Sequence, residues 1–542
     1  MSLYLKKTPI IVHLHSHMPS VIKHDAWPHG SVWLSEVVFE SYIPLLKALR
    51  KLYEEGISPT LSFDLSPVLI EQLAHLDSLS IFTKYAEQQI EQSQIDRHTF
   101  KNIPEAICNI PMADYWEAFY QSGLEYVKDL QGHTLLHEFK RAQEDGLIEI
   151  MNCGLTHAYL PLLNSKYSVI QQIAYSATVY EQYFGINSSS MFLPECGYAP
   201  TMQDVNGEYT LEDILLDSSI QRIILDQQHS IQYPSEYPQA MPEDLRPLQP
   251  VRLEGLSQRG TLIALIRHKS ASDKVWSQQY GYPNHQAYLE FHKREFNSSL
   301  RYWKVTNHSI YPDEKYTYSV DEAQSQVKKD AREYVQYLEN LALSFYEKHS
   351  RTGVLCLAFD TELFGHWWFE GPDFLSHVIR EIHASEILAL KVPSDIEVNN
   401  AFPIVQCASG SWGLHGNDET WNNPKTMQIL TSMHQAEMMF GERKSRIDSN
   451  DSLQVRIMNQ ALRELLLLEA SDWPFLISRQ QASDYALLRF NEHFTYVTHL
   501  ISLFDRVKRG DTICEDDIHL LEQIEQKDDL FQSINCMDWK NH

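Results

Sequence analysis

The chain has no paired-cysteine motif, no long apolar run and too few basic residues to balance its acids, and each lack removes a class of function. Zinc-type cysteine pairs are missing, and seven cysteines, an odd number, do not make a disulfide framework. Cys153, Cys196, Cys356 and Cys407 lie in or beside apolar, strand-like runs where buried free thiols are common, which fits a reducing cytoplasm. The first residues place their charges ahead of a short apolar run that meets histidines at once, so neither a signal peptide nor a membrane span is expected. With Lys+Arg 45 against Asp+Glu 72, the formal net charge of -27 repels phosphate backbones and anionic lipid heads, and nucleic acid and membranes drop out as expected partners. Internal repeats and low-complexity tracts are also lacking.

What is present can build a large core: 542 residues, 43% hydrophobic and 11% aromatic, suffice for a main domain with appendages. Seven short runs rich in apolar and β-branched residues recur, at 9–13, 60–64, 147–151, 191–194, 222–226, 261–266 and 354–359, with helical patterns between most of them. The clearest helix starts at Ser319, three residues before Glu322 in a capping-box arrangement, and carries Val327, Ala331, Tyr334, Leu338, Leu341 and Phe345 on one face. This alternation predicts an α/β fold, a βα barrel. Residues 227–259 break the rhythm with clustered prolines and glutamines and read as an inserted loop beside the active face. Beyond Trp421 the stretches 453–469, 483–507 and 515–531 look helical and no strand stands out. The expected division is a catalytic barrel over 1–200 and 260–425, an inserted subdomain over 201–259, and a C-terminal helical domain over 426–542.

The strand exits carry the chemistry. The doubly buried run 354–359 delivers Asp360, the first catalytic candidate, into a segment with two tryptophans, Trp367 and Trp368, and a histidine. The other exits present His15 and His17, His157, and Glu195, all toward one mouth. Two carboxylates from different strands are what glycosidic-bond cleavage needs, and Trp367, Trp368, Trp412 and Trp421 in glycine-containing loops offer flat faces to sugar rings. Glu362, His366 and Glu370 read as groups that orient Asp360 and the tryptophans. A rival reading makes His15, His17, His157 and Asp360 the ligands of a metal-dependent hydrolase; the favoured reading has no metal and no cofactor.

Five ordered segments carry a resemblance: residues 15–19 (HSHMP), 154–163 (GLTHAYLPLL), 192–198 (FLPECGY), 359–372 and 410–413 (GSWG). In order and separation they resemble the motifs of glycoside hydrolase family 57. Glu195-Cys-Gly-Tyr198, the extended acid segment and the later Ser471-Asp-Trp-Pro-Phe475 resemble the 1,4-α-glucan branching enzymes within it. So do residues 275–277, 281–283 and 485–493, so the likeness spans nearly the whole chain.

The resemblance implies an incomplete (β/α)7 barrel with a helical C-terminal domain, Glu195 as nucleophile, Asp360 as general acid/base, and an α-glucan polymer as substrate. It further implies substrate contacts by Arg267, Trp412, Asp472 and Gln481, with His15, His17 and His157 lining the subsite of the cleaved bond; the loop rings Trp368 and Trp421 and the backbone of Asn284 complete the expected contact set. The activity implied is cleavage of an α-1,4 linkage and re-attachment as an α-1,6 branch, with an α-amylase-like hydrolase as the alternative. Where the family has other residues this chain has Ser20, Phe192, His268 and Asn284, and residues 226–250 do not match the family's lid, leaving Tyr233 and Tyr237 as candidates for its tyrosine. Structural readings stay open for Trp412 and Trp421 as packing between barrel and helical domain, and for Asp472 and Gln481 as helix caps.

Overall fold

Every second residue along the parallel strands faces inward, and this alternation sorts the apolar residues into two cores. The computed structural model describes residues 6–26, 29–204, 207–233, 243–277, 279–306, 315–397 and 401–538. Seven strands form the main sheet: β1 (Thr8–Ser16), β2 (Leu61–Leu65), β3 (Ile148–Ile150), β4 (Ser190–Phe192), β5 (Arg222–Asp226), β6 (Thr261–Arg267) and β7 (Leu355–Asp360). They run parallel in the order β3-β2-β1-β7-β6-β5-β4. Among the described residues the two ends meet only at a single parallel bridge between Asn152 and Met191, which leaves the (β/α)7 barrel incomplete. Two further strands extend it: Leu388–Lys391 pairs with the first half of β1, and Val251–Glu254 pairs antiparallel with β6.

Ile11, Phe192, Ile224, Ile263, Leu265, Cys356 and Ala358 fill the barrel's interior. Their neighbours Ile10, Val12, Leu14, Ile223, Leu225, Leu262, Leu355 and Leu357 face outward into the core shared with the helices. Both faces of each strand are therefore buried, which is why these runs read as nearly continuous apolar stretches.

The segment 201–259, expected as an insertion, also holds β5, which pairs with β4 on one side and β6 on the other. Its run Arg222-Ile-Ile-Leu-Asp226 is buried on every residue and can be covered only inside the sheet, so the barrel passes through this segment. The helix Val320–His349 begins as expected, Ser319 accepting the backbone N–H of Glu322, and buries the predicted stripe. Two long helices not singled out from the sequence, Ser78–Lys101 and Ile110–Asp129, pack side by side between β2 and β3. After residue 407 the regular elements among the described residues are helical, including Met427–Lys444, Ser452–Leu468, Asp472–Arg479, Ser483–Arg509 and Glu515–Lys527. Among the described residues no helix is long and apolar enough to cross a membrane.

Candidate active site

Along the inward face the side chains turn from apolar to polar toward the strands' carboxyl ends: Ile11 then His13 and His15, Ile263 and Leu265 then Arg267, Cys356 and Ala358 then Asp360. Register sets these groups level. His15 lies opposite Asp64 of β2 on one side and Asp360 of β7 on the other, and Arg267 lies opposite Asp226 of β5. The apolar interior closes the barrel from below, and the polar layer forms the floor of a site at its mouth.

Glu195 occupies a sharp turn after β4. Its φ is 61° and that of Cys196 is 51°, both in the left-handed region that costs ordinary residues free energy. The turn is crowded: a Cβ on Gly197 would come within 2.6 Å of the Tyr159 ring. A second segment clamps it, with Gly410 and Tyr198 exchanging backbone hydrogen bonds and the Trp412 N–H donating to the Glu195 carbonyl at 3.0 Å. The Trp412 indole N–H then donates to Glu195 Oε2 at 2.6 Å, and the Ser471 hydroxyl lies 3.4 Å from Oε1. Burial pushes the Glu195 carboxyl up to about 7; the indole bond and His15 pull it down, while Asp360 and Asp472 add to the rise.

Asp360 ends β7 in ordinary extended geometry, at φ -63° and ψ 134°. Burial raises its carboxyl above the usual range, with His15 and Arg267 pulling against the shift. The loop that follows is anchored from the helix side. Tyr42 donates to Glu362 Oε1 at 2.5 Å, and Glu40 holds His366 at 2.8 Å and Arg301 at 3.1 Å. Both anchors sit in a single π-turn, Val38–Tyr42, a geometry frequent near functional sites. Gly365, at φ 115°, is required here because a Cβ would lie 1.8 Å from the Glu40 carbonyl. Burial pushes Glu362 up to about 8, so it is a neutral partner of Tyr42 rather than a second charge beside Asp360.

The three histidines meet. His15 Nε2 and His157 Nε2 are 2.8 Å apart, His157 Nδ1 is 2.8 Å from Ser471 Oγ, and the His17 and His157 rings stack at 3.9 Å. His17 bonds Asp472 Oδ2 at 2.8 Å, at the start of the helix Asp472–Arg479. His15 Nδ1 faces Asp64, 3.0 and 2.9 Å from its two carboxylate oxygens, and His13 Nε2 bonds Asp64 at 2.8 Å. Burial opposes a charged His15, but Asp64 outweighs it and holds the ring up to about 9. Asp64 is correspondingly held below the usual range by the two histidines, against its own burial. His157, buried beside two other rings, is held well below the ordinary histidine range and is neutral. Arg267 pairs with Asp226 at 2.6 Å and lies 5.6 Å from the Trp412 ring centre, so the acid it needs comes from β5 and not from position 268.

Of four further expected contact residues, two are buried in packing and two are exposed on turns. Trp368 is 1% exposed, packed between Tyr288 and Phe374, because the ring following the loop's tight turn faces the core. Its neighbour Trp367 is 37% exposed and meets Trp276 edge-on at 5.5 Å. Trp421 is also buried, stacked on Tyr159 at 4.5 Å with Gly413 against its edge, both from barrel segments. Asn284 lies on an exposed turn with its amide bonded to the Gln279 carbonyl. Gln481 is exposed between Gln480 and Ala482, both left-handed, rather than capping a helix. Tyr233 is partly buried against the main core beyond the strand Ile231–Gln232, which pairs with Gln406–Cys407; Tyr237 lies outside the described residues.

Asp64 and Ser471 belong to the site although the sequence did not point to them. Asp64 was hidden as the last residue of an apolar run, and Ser471 stood beside the more conspicuous Asp472. Within the site, among the described residues, the donor atoms gathered closely enough for a metal are those of His15, Cys153 and His157, within 4.8 Å of one another, not the quartet with His17 and Asp360; a second such group, Glu464, His493 and Asp528, lies in the C-terminal helical region.

The description "Glycosyl hydrolase family 57" matches residues 11–403, and "1,4-alpha-glucan branching enzyme, C-terminal" matches residues 432–539. A 1,4-alpha-glucan branching enzyme of Thermococcus kodakarensis is 31% identical over 538 residues, covering 96% of this chain and 77% of that protein. The crystal structure of a GH57-type branching enzyme from Pyrococcus horikoshii superposes with a TM-score of 0.88 at 30% identity, covering 98% of this chain and 96% of that one. That of the alpha-amylase AmyC from Thermotoga maritima superposes with a TM-score of 0.81 at 27% identity, covering 98% and 99%. The barrel with its acids at the exits of β4 and β7, the match over most of its length and the identity to a full-length relative lead to one conclusion: the chain belongs to glycosyl hydrolase family 57.

Proposed function

We propose that this protein is a 1,4-α-glucan branching enzyme that works by retaining glycosyl transfer. The observation that carries the chemistry is the placement of Glu195, fixed by Trp412, and Asp360 at the exits of β4 and β7 in one parallel barrel. Glu195 attacks the anomeric carbon as the C1–O4 bond breaks, and the Asp360 proton goes to the departing oxygen. Asp360, now a carboxylate, takes the proton from the 6-hydroxyl of a second glucan as that oxygen attacks C1 and the ester to Glu195 breaks. His15, His17, His157, Arg267, Trp412 and Asp472 surround the cleaved linkage, and the exposed pair Trp367 and Trp276 offers stacking faces for the polymer. The match of residues 432–539 to a branching-enzyme C-terminal region favours transfer over hydrolysis. The likeness to an alpha-amylase supports a second reading, a hydrolase on the same scaffold. Amylose incubated with the protein and then debranched gains α-1,6 linkages if the first holds; reducing ends that grow without such linkages establish the second. The seven cysteines are all free thiols, which supports a cytoplasmic location.

A further inference from the structure

Hydrogen bonds join Asp64 to Glu195 through His15, His157 and Ser471, a path that crosses from β2 to the C-terminal helical region and back to the barrel. With Glu195 ionised, one proton arrangement satisfies every link. His15 donates from Nδ1 to Asp64 and from Nε2 to His157 Nε2. His157, neutral, donates from Nδ1 to Ser471 Oγ, and the Ser471 hydroxyl donates to Glu195 Oε1. Shifting each proton one step along gives the other satisfied arrangement, with His15 neutral and Glu195 protonated and no net gain of charge.

We propose that Asp64 and Ser471 are positioning residues for the glycosyl transfer: Asp64 holds His15 as a cation, and the oriented chain delivers the Ser471 hydroxyl to Glu195 as a donor that keeps the nucleophile ionised. This rests on Glu195 being the nucleophile. The role differs from sugar binding, because Asp64 is fully buried beneath the histidines and Ser471 is 2% exposed. Other groups facing the chain are His13 and Cys153 beside Asp64, Asp360 and Glu362 beside His15, His17 beside His157, and Asp360 and Asp472 beside Glu195. All persist in the variants below, so a change in pH dependence reports the link removed.

The experiment is the pH profile of kcat/KM on amylose for wild type, Ser471→Ala, Ser471→Thr and Asp64→Asn, each with a melting curve. Loss of a donor raises the Glu195 pKa, so the acid limb of the bell, which reports ionisation of the nucleophile, moves to higher pH in Ser471→Ala by on the order of one unit. Asp64→Asn, which also removes the His15 charge felt by both acids, moves it further. Ser471→Thr, which keeps the hydroxyl, returns the bell to its wild-type place. A bell that stays in place in Ser471→Ala while the rate falls overturns the relay, as does failure of threonine to restore it. If Asp64→Asn does not fold, the Ser471 pair decides alone. Full activity in Glu195→Gln would instead refute the nucleophile, and it is read before any profile.

Discussion

The turns that carry Glu195 and Asp360 are built in opposite ways. Glu195 sits in a left-handed conformation, clamped by the backbone of residues 410–412, with an indole and a serine hydroxyl on its carboxylate. Asp360 leaves its strand in relaxed geometry, and among the described residues its carboxylate has no side-chain partner, while the loop beyond it is held through Glu362, Gly365 and His366. The contrast fits the two tasks. A nucleophile must lie at one fixed point opposite the anomeric carbon, where misplacement is costly. An acid/base must give its proton to one oxygen and later take one from another, so a permanent partner would compete with both.

Removing either acid tests this division most severely. Glu195→Gln should lose about 10⁴-fold or more in branch formation on amylose, since a group acting as a unit with its neighbours is not replaced by them. Its melting curve carries a second signature. The folded-state carboxyl at about 7 lies above its ordinary 4.5, so ionising it costs stability; the cost is absent at low pH, grows as pH rises through this window and is constant above it. The melting temperature of Glu195→Gln minus that of wild type should therefore widen between pH 4.5 and 7, and a constant gap would contradict the raised carboxyl. Asp360→Asn should lose about 10²- to 10⁴-fold, with loss of the limb of the rate profile that reports the acid.

A smaller effect isolates the clamp. Trp412→Phe keeps the ring and removes the N–H on Glu195 Oε2, a hydrogen bond to a charged group worth about 1.5–3 kcal/mol, so activity should fall about 10- to 100-fold. The rate profile should also move to higher pH, because the indole is what pulls the Glu195 carboxyl down. Unchanged activity would place the indole's value in packing alone.

The same contrast explains what the sequence made legible. The seven barrel strands were readable because strands buried on both faces are apolar throughout, and polar residues at their exits, Glu195, Asp360, His15, His17 and His157, therefore stood out, whereas Arg267 was indicated only by the family resemblance. Asp64 did not, because it ends such a run and only the pairing of β2 with β1 sets it opposite His15. Trp367 and Trp368 are adjacent, and no periodicity in an irregular loop tells which ring turns inward; the structure buries the second and exposes the first. Trp421 looked like a loop ring, yet Tyr159 from a distant segment covers it. The strand Arg222–Asp226 was recognisable as a strand but lay inside a segment whose prolines and glutamines dominated its reading. In each case the missing information was a long-range partner.

The smallest predicted effect separates the two turns by backbone strain. Glycine at position 195 removes the steric penalty of a left-handed residue, about 1–2 kcal/mol, and also a carboxyl that burial disfavours. Against this stand the lost indole bond, which water in the open mouth can replace, and the greater freedom of glycine in the unfolded chain. Glycine at position 360 also removes a carboxyl that burial disfavours but relieves no backbone strain, because φ -63° suits any residue, and the added unfolded-state freedom costs about 0.5–1 kcal/mol. Thermal melts should therefore place Glu195→Gly above Asp360→Gly, with both variants inactive. Equal losses would mean that the nucleophile's turn carries no strain, and the difference between a fixed nucleophile and a free acid would then rest on hydrogen bonds alone.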